Sequence, residues 1–298
     1  MASFELFQVD AFTQRPLAGN PCAVVLDARG LHDATMLAVA REMNLSETSF
    51  VFPSAGDEDF SVRYFTPVVE IPMAGHPTIA TTHALREAGR IPPGASGIVL
   101  RMPAGLIPVS IDLASTTFPR YTMTQLRPSF GATYDRAAIA AALSLAEHDL
   151  ADGLTPQCVS TGTPQLMVAV RSLDVLGRAR PQAALLFPPD GRGAGAEYFS
   201  VHVFARDGRS GHALCSRHFA PLGDVAEDPF TGSAAGGMAA YCSRYGFVRQ
   251  PEFTVTQGEH VGRPGEAKVR VLGNPPDDIS GVEVGGYAVT VMKATLTI

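Results

Sequence analysis

The sequence writes one strand-and-turn frame twice. Residues 63–67 read RYFTP and residues 217–221 read RHFAP, the same Arg-x-Phe-x-Pro pattern. A short polar or acidic segment follows each copy. A glycine then opens a run of small residues: Gly75 starts GHPTIATTHAL and Gly232 starts GSAAGGMAAYC. Both runs end at a glycine, Gly89 and Gly246, so the offset between the starts equals the offset between the ends. Repeating strand, turn, helix start and helix stop at one offset constrains the chain to build the same unit twice. With 298 residues it has room for two ordinary halves.

Local patterns fill in the units. FELFQVDAF and CAVVLDA read as strands flanking the turn RPLAGNP. Asp33 is placed to cap a helix through ATMLAVAREM, whose Leu37, Ala40 and Met43 recur at helical spacing, and Asn44 is placed to end it. SETSFVFP and SVRYF read as strands, and IVLRMP with LIPVSI as a hairpin across Ala104 and Gly105. In the second half YTMTQL reads as a strand, Asp135 as the cap of RAAIAAALSL, and CVSTGTPQLMVAV as a turn running into a strand. RSLDVLG predicts a short helix, EYFSVHVF a strand, and ARPQAALLFPPDGRGAGA a loop. The fold class is α+β in two related halves, divided near residues 112–120.

The two glycine helices carry the functional signal. Pro77 suits a first turn, where amides have no intrahelical partner, and Ser233 is a natural N-cap. Neither helix has a strongly charged face: one reads Ile79, Ala80, His83, Ala84 and the other Ala234, Ala235, Met238, Ala239. Such helices are buried, as inside a wrapped sheet. A buried helix must still satisfy its first amides, and its N-terminus carries partial positive charge. If the halves face each other, two such termini converge on a cleft suited to a carboxylate. His76 stands directly after Gly75, and Asp228, in EDPFTGS, just before Gly232. Alone, each is an ordinary first-turn residue. At matched sites of a repeat, they are candidates for acid–base work.

Composition limits the alternatives. A chain that is 46% hydrophobic and 17% charged supports packed cores, and a net charge of −6 with scattered cations does not suit nucleic acid or anionic membrane surfaces. No apolar run approaches membrane-spanning length, and the start MASFELFQVDAF carries an early acid in place of a basic leader. Cys22, Cys158, Cys215 and Cys242 lie far apart with no Cys-x-x-Cys, so a soluble cytoplasmic protein with reduced thiols is expected. His212, Cys215 and His218 have metal-like spacing, but a strand through them would turn Cys215 away from both histidines. No metal site is expected.

The segments GNPCAVV (19–25), REMNLSETSFV (41–51), FTPVVEIPMAGHPT (65–78), RHFAP (217–221), EDPFTGSAAG (227–236) and QGEHVGRPG (257–265) resemble those of the phenazine-biosynthesis isomerase (PhzF-like) family. That family is a branch of the diaminopimelate-epimerase fold. The resemblance covers nearly the whole chain in order. It implies two pseudo-symmetric domains, each a mostly antiparallel sheet wrapped round a central helix. The first domain would be residues 1–118, with a strand at 287–298 returning to it, and the second residues 119–286. It implies an active site between them, no cofactor, a small cyclic carboxylate as substrate and a homodimer. It also implies that Glu47 is the acid–base group moving a proton between ring carbons. His76 and Asp228 would be its hydrogen-bonding partners, while catalytic Ser233 and the substrate-binding amides at Gly75 and Gly232 would form the carboxylate and proton-transfer environment. From the residues alone, Glu47 is a surface acid between a helix and a strand.

One departure matters. In diaminopimelate-epimerase relatives a catalytic cysteine precedes each glycine-helix start, whereas this chain has Ala74 and Thr231. Two-base thiol racemisation is therefore not expected, and the four cysteines are expected to be core thiols. The best named substrate implied by the resemblance is trans-2,3-dihydro-3-hydroxyanthranilate. An amino-acid epimerase and a non-catalytic binding or interaction protein on the same fold are the alternatives.

Overall fold

The computed structural model describes residues 2–113, 118–187, 197–207, 211–220 and 225–298. Residues 114–117 within the expected division, Pro221 of the second frame and the GRGAGA run at 191–196 lie outside them. The first stretch runs β1 (Ser3–Ala11), β2 (Asn20–Leu26), α1 (Asp33–Met43), β3 (Glu47–Pro53), β4 (Phe60–Phe65), β5 (Glu70–Ile71), α2 (Gly75–Glu87), β6 (Gly97–Met102), β7 (Gly105–Asp112) and β8 (Arg120–Gln125). The second runs β9 (Ser129–Thr133), α3 (Arg136–Ala142), β10 (Gln157–Ser160), β11 (Pro164–Ala169), α4 (Leu173–Arg178), α5 (Ala183–Leu186), β12 (Val201–Arg206), β13 (Leu214–Ala220) and β14 (Val225–Asp228). It continues through α6 (Gly232–Arg244), β15 (Glu252–Gln257), β16 (Gly265–Asn274), β17 (Asp278–Gly286) and β18 (Ala288–Thr297).

Strand pairing repeats as the sequence does. In the first set β1 pairs antiparallel with β2, β2 parallel with β3, β3 antiparallel with β4, β4 parallel with β6, and β6, β7 and β8 follow as an antiparallel meander. In the second set β10, β11, β12, β13, β15, β16 and β17 take the same order and directions. The sets meet where β8 lies antiparallel to β17, and β18 returns to lie antiparallel to β1. The four parallel steps arise where helices intervene between paired strands, α1 and α2 in the first set and α4 with α5, then α6, in the second, because a parallel neighbour requires a crossover. The fold class is mixed α+β and mostly antiparallel, as the sequence indicates.

Helices α2 and α6 each pack against several strands, α2 on β1, β2 and β8 and α6 on β11, β16 and β17. Their burial explains their composition. Ile79, Ala80, Ala84 and Leu85 of α2 and Ala235, Met238, Ala239 and Ala240 of α6 are all core residues. Burying a side chain the size of Ile79 or Met238 contributes roughly 1.5–3 kcal/mol. The buried threonines of α2 remain satisfied locally: Thr78 Oγ1 donates to the Ala74 carbonyl at 2.6 Å and Thr82 Oγ1 to that of Thr78 at 2.8 Å. Both helices stop where expected, with Gly89 at φ 69° and Gly246 at φ 65°.

Several local expectations change. Asp33 is the first helical residue and not the cap, because its carboxylate accepts from Arg63 Nη1 at 2.8 Å. Asn44 does close α1 in the left-handed conformation, and Asp135 does cap α3 through the Ala138 amide. CVSTGTPQLMVAV is a hairpin of β10 and β11, not a turn leading to one strand. The EYFS portion of the expected strand is irregular, and residues 183–186 within the expected loop form a helical turn. All four cysteines are buried, and none is in a disulfide. No helix among the described residues is long and apolar enough to cross a membrane.

Candidate active site

The two glycine helices meet head to head. A Cβ added to Gly75 would lie 2.5 Å from the Ser233 nitrogen and 2.6 Å from the Gly232 Cα. Only hydrogen at position 75 allows that approach of backbone to backbone. Neither N-cap residue, Ala74 or Thr231, caps its helix with a side chain. Thr231 is of a capping type, but its hydroxyl donates to Asp228 Oδ2 instead of accepting from a helix amide. Ser233 is not an N-cap as the sequence suggests. It is the second helical residue, and its Oγ accepts from Gln165 Nε2 at 3.1 Å, leaving its hydroxyl hydrogen to point elsewhere.

These termini open on a cavity of about 410 Å³, lined by all six residues singled out in the sequence: Glu47, Gly75, His76, Asp228, Gly232 and Ser233. At its rim, Val68, Val69 and Phe199 remain substantially exposed. An apolar rim over a floor of amides and a few polar groups suits a small, flat, anionic ligand. A crystal grown with sulfate or a simple carboxylate is expected to place the anion within hydrogen-bond reach of the amides of Gly75, His76, Gly232 and Ser233. An anion ordered only at some other surface would contradict the convergent termini as the binding point.

Glu47 begins β3, whose parallel register with β2 sets it beside Cys22. Its carboxylate Oε2 lies 3.3 Å from His76 Nε2, yet neither atom has a hydrogen-bond partner of good geometry, although both are buried. Two buried polar atoms left short of a bond in a cavity are poised for a third group. The Glu47 side chain keeps 17% exposure, which faces this opening. Burial pushes its carboxyl well above the ordinary carboxylate range, and the negative charge of Asp228 adds to the shift. Burial also holds His76 neutral, lowering it to about 4 against the opposing pull of Asp228. Glu47 and His76 therefore do not form an ion pair. They are a carboxyl group of raised proton affinity and a neutral imidazole set side by side.

Asn20, at the start of β2, ties the two halves of the site together. Its Nδ2 lies 3.0 Å from His76 Nδ1, 2.9 Å from Asp228 Oδ1 and 2.8 Å from the Phe230 carbonyl. Ser46 Oγ donates to the same Asp228 oxygen at 2.8 Å, and Gln257 Nε2 to the Asp228 carbonyl at 2.8 Å. Asn20, Ser46, Gln165 and Gln257 had no assigned role in the sequence. Asn20 stands inside the GNPCAVV segment, but its contacts depend on partners 56 and 208 residues away.

Comparison with known proteins identifies the family and the fold. The sequence model of the family described as phenazine biosynthesis-like protein matches residues 9–294. An uncharacterized isomerase of Clostridium acetobutylicum is 32% identical, covering 99% of this chain and 98% of its own. The trans-2,3-dihydro-3-hydroxyanthranilate isomerase of Pseudomonas fluorescens is also 32% identical, covering 97% and 98%. The crystal structure of a phenazine biosynthesis protein of the PhzF family from Bacillus anthracis superposes with a TM-score of 0.87 at 30% identity over the whole of both chains. A hydroxyproline epimerase from Agrobacterium vitis shares the fold at a TM-score of 0.66 and 14% identity, covering 99% of this chain and 92% of that one.

Proposed function

The chain belongs to the phenazine biosynthesis-like family and is an isomerase of it, and from that premise we propose that it moves a proton within a small cyclic carboxylate, trans-2,3-dihydro-3-hydroxyanthranilate being the best candidate. The observation that supports this most directly is the 3.3 Å approach of Glu47 to His76 beside two abutting helix starts. The substrate carboxylate sits on the first amides of α2 and α6, where oriented N–H groups hold negative charge without rearranging. The Ser233 hydroxyl adds a donor. The Glu47 carboxylate removes a proton from one ring carbon and, now an acid, returns it to another. His76 offers its Nε2 to the proton in transit, and Asn20 with Asp228 fixes the ring. The reaction as proposed uses no metal and no cofactor, in the cytoplasm and in a homodimer.

Turnover of this substrate, followed by absorbance and by product mass, tests the reading. Binding without turnover would move it to another ring acid. No binding would remove this substrate class.

The pH dependence follows from the same charges. Glu47 must be ionised to accept the proton, so kcat/KM falls as pH drops through its folded pKa, which burial places well above the usual 4.5. His76 does not charge until about 4 and cannot produce that limb. Asp228 raises Glu47 by its negative charge, so Asp228→Asn is expected to shift the acid limb to lower pH while reducing the plateau rate. A limb that stays in place or rises would show that the group controlling it does not feel Asp228.

A further inference from the structure

Two buried histidines beside the cavity have no part in the proton transfer. His202 on β12 and His218 on β13 are direct partners across their antiparallel ladder, and their Nδ1 atoms lie 3.2 Å apart. His202 is 0% exposed and His218 3%. Two facing ring nitrogens bond only when one carries a hydrogen and the other does not. The pair is therefore held in opposite states at Nδ1. His202 Nε2 is buried with no partner. A stranded N–H is rarer in native interiors than an under-satisfied acceptor, so the His202 hydrogen belongs on Nδ1. His202 then donates to His218 Nδ1, and a neutral His218 must carry its hydrogen on Nε2.

His218 is also a lining residue of the active cavity, where its described hydrogen bond is the one through Nδ1. We propose that His218 is a specificity-determining residue whose Nε2–H donates to a neutral ring oxygen of the substrate, a hydroxyl or carbonyl, and that His202 is the positioning residue that fixes this tautomer. Charge selects the class of oxygen. His218 pairs across the adjoining ladder with Asp228, and a second carboxylate placed there would meet that negative charge whereas a hydroxyl would not. Burial keeps the donor neutral: it lowers His218 to about 4 although Asp228 and Glu227 pull the other way, and it lowers His202 further, with His218 adding to the effect. The inference takes the ring-acid substrate class from the proposed function, but not its chemistry.

The test needs no turnover. Full-length protein with isotopically labelled histidines is titrated with anthranilate and with 3-hydroxyanthranilate, which differ by one hydroxyl. The free protein near neutral pH is expected to show hydrogen on Nδ1 of His202 and on Nε2 of His218. Wild type should hold the hydroxylated compound about tenfold more tightly, the scale of one added hydrogen bond. His218→Phe should bind both compounds alike, with anthranilate affinity kept within about threefold. His202→Phe should reduce the preference while leaving anthranilate bound. Reversed tautomers in the wild type, or a preference that survives in His218→Phe, would overturn the assignment even with binding intact. Failure of wild type to bind either compound would overturn it together with the substrate class beneath it.

Discussion

Glu47→Gln is expected to fold, to bind a substrate-like carboxylate as the wild type does, and to lose at least ~10²-fold in turnover. The amide is nearly isosteric and leaves the starts of α2 and α6 untouched, so the anion-binding part of the site persists. It cannot accept and return a proton. It also removes a group held far from its usual titration range by burial and by Asp228, so its loss does not remove a stabilising charge. Calorimetry on a carboxylate probe and turnover on trans-2,3-dihydro-3-hydroxyanthranilate separate the two properties. In deuterated water, one largely buried group shuttling a proton should return some original hydrogen to the product. A two-base epimerase would place mainly solvent deuterium at the inverted carbon. Full activity in the Gln variant would end the single-glutamate mechanism for any substrate.

Gly75→Ala should be nearly as damaging for a reason that is purely geometric. Its new methyl would sit 2.5 Å from the Ser233 nitrogen, against backbone that no rotamer change can move. Relief requires the two helix starts to separate, and overpacking of this kind costs typically 1–3 kcal/mol in stability. A displacement of about 1 Å at a catalytic centre is enough for a ~10²-fold loss of rate. Gly94→Ala is the control, since nothing lies within 4 Å of a methyl there. The expected result is a lower melting temperature and weak anion binding in the first variant and neither in the second. Wild-type turnover in Gly75→Ala would mean that the helix starts need not touch for the site to work.

The sequence made some of this legible because the information was local. An opening glycine, a run of small residues and a closing glycine read as a buried helix, and their repetition after a second Arg-x-Phe-x-Pro frame announced a duplicated unit. Matched places in that repeat marked Gly75 with Gly232 and His76 with Asp228 as a set, but their convergence on one cavity depended on the halves facing each other, which only the structure shows. Glu47 was legible only through family resemblance, since its burial comes from the parallel register of β3 on β2 and from a cavity built by distant segments. The failures have a common cause. Asp33 and Ser233 had the right side chains for capping, but a distant partner claimed each one, Arg63 for Asp33 and Gln165 for Ser233. Asn20, Gln257 and the His202–His218 pair depend on strand register and on side chains far away in the chain. No window of sequence contains both members of such a contact.

The pairing of β18 with β1 has a consequence for how the molecule is made. Its register runs from Ser3 opposite Thr297 to Ala11 opposite Ala288, joining the first and last of the described strands. During synthesis the open edge of β1 must wait until β18, at Ala288–Thr297, has emerged, and an unpaired edge is a template for pairing with a neighbouring chain. Contacts of such long sequence separation also close late, because loop entropy must be overcome before they form. The nascent protein therefore passes through an interval in which β2 guards one side of its first strand while the other stays open, and aggregation risk is concentrated in that interval.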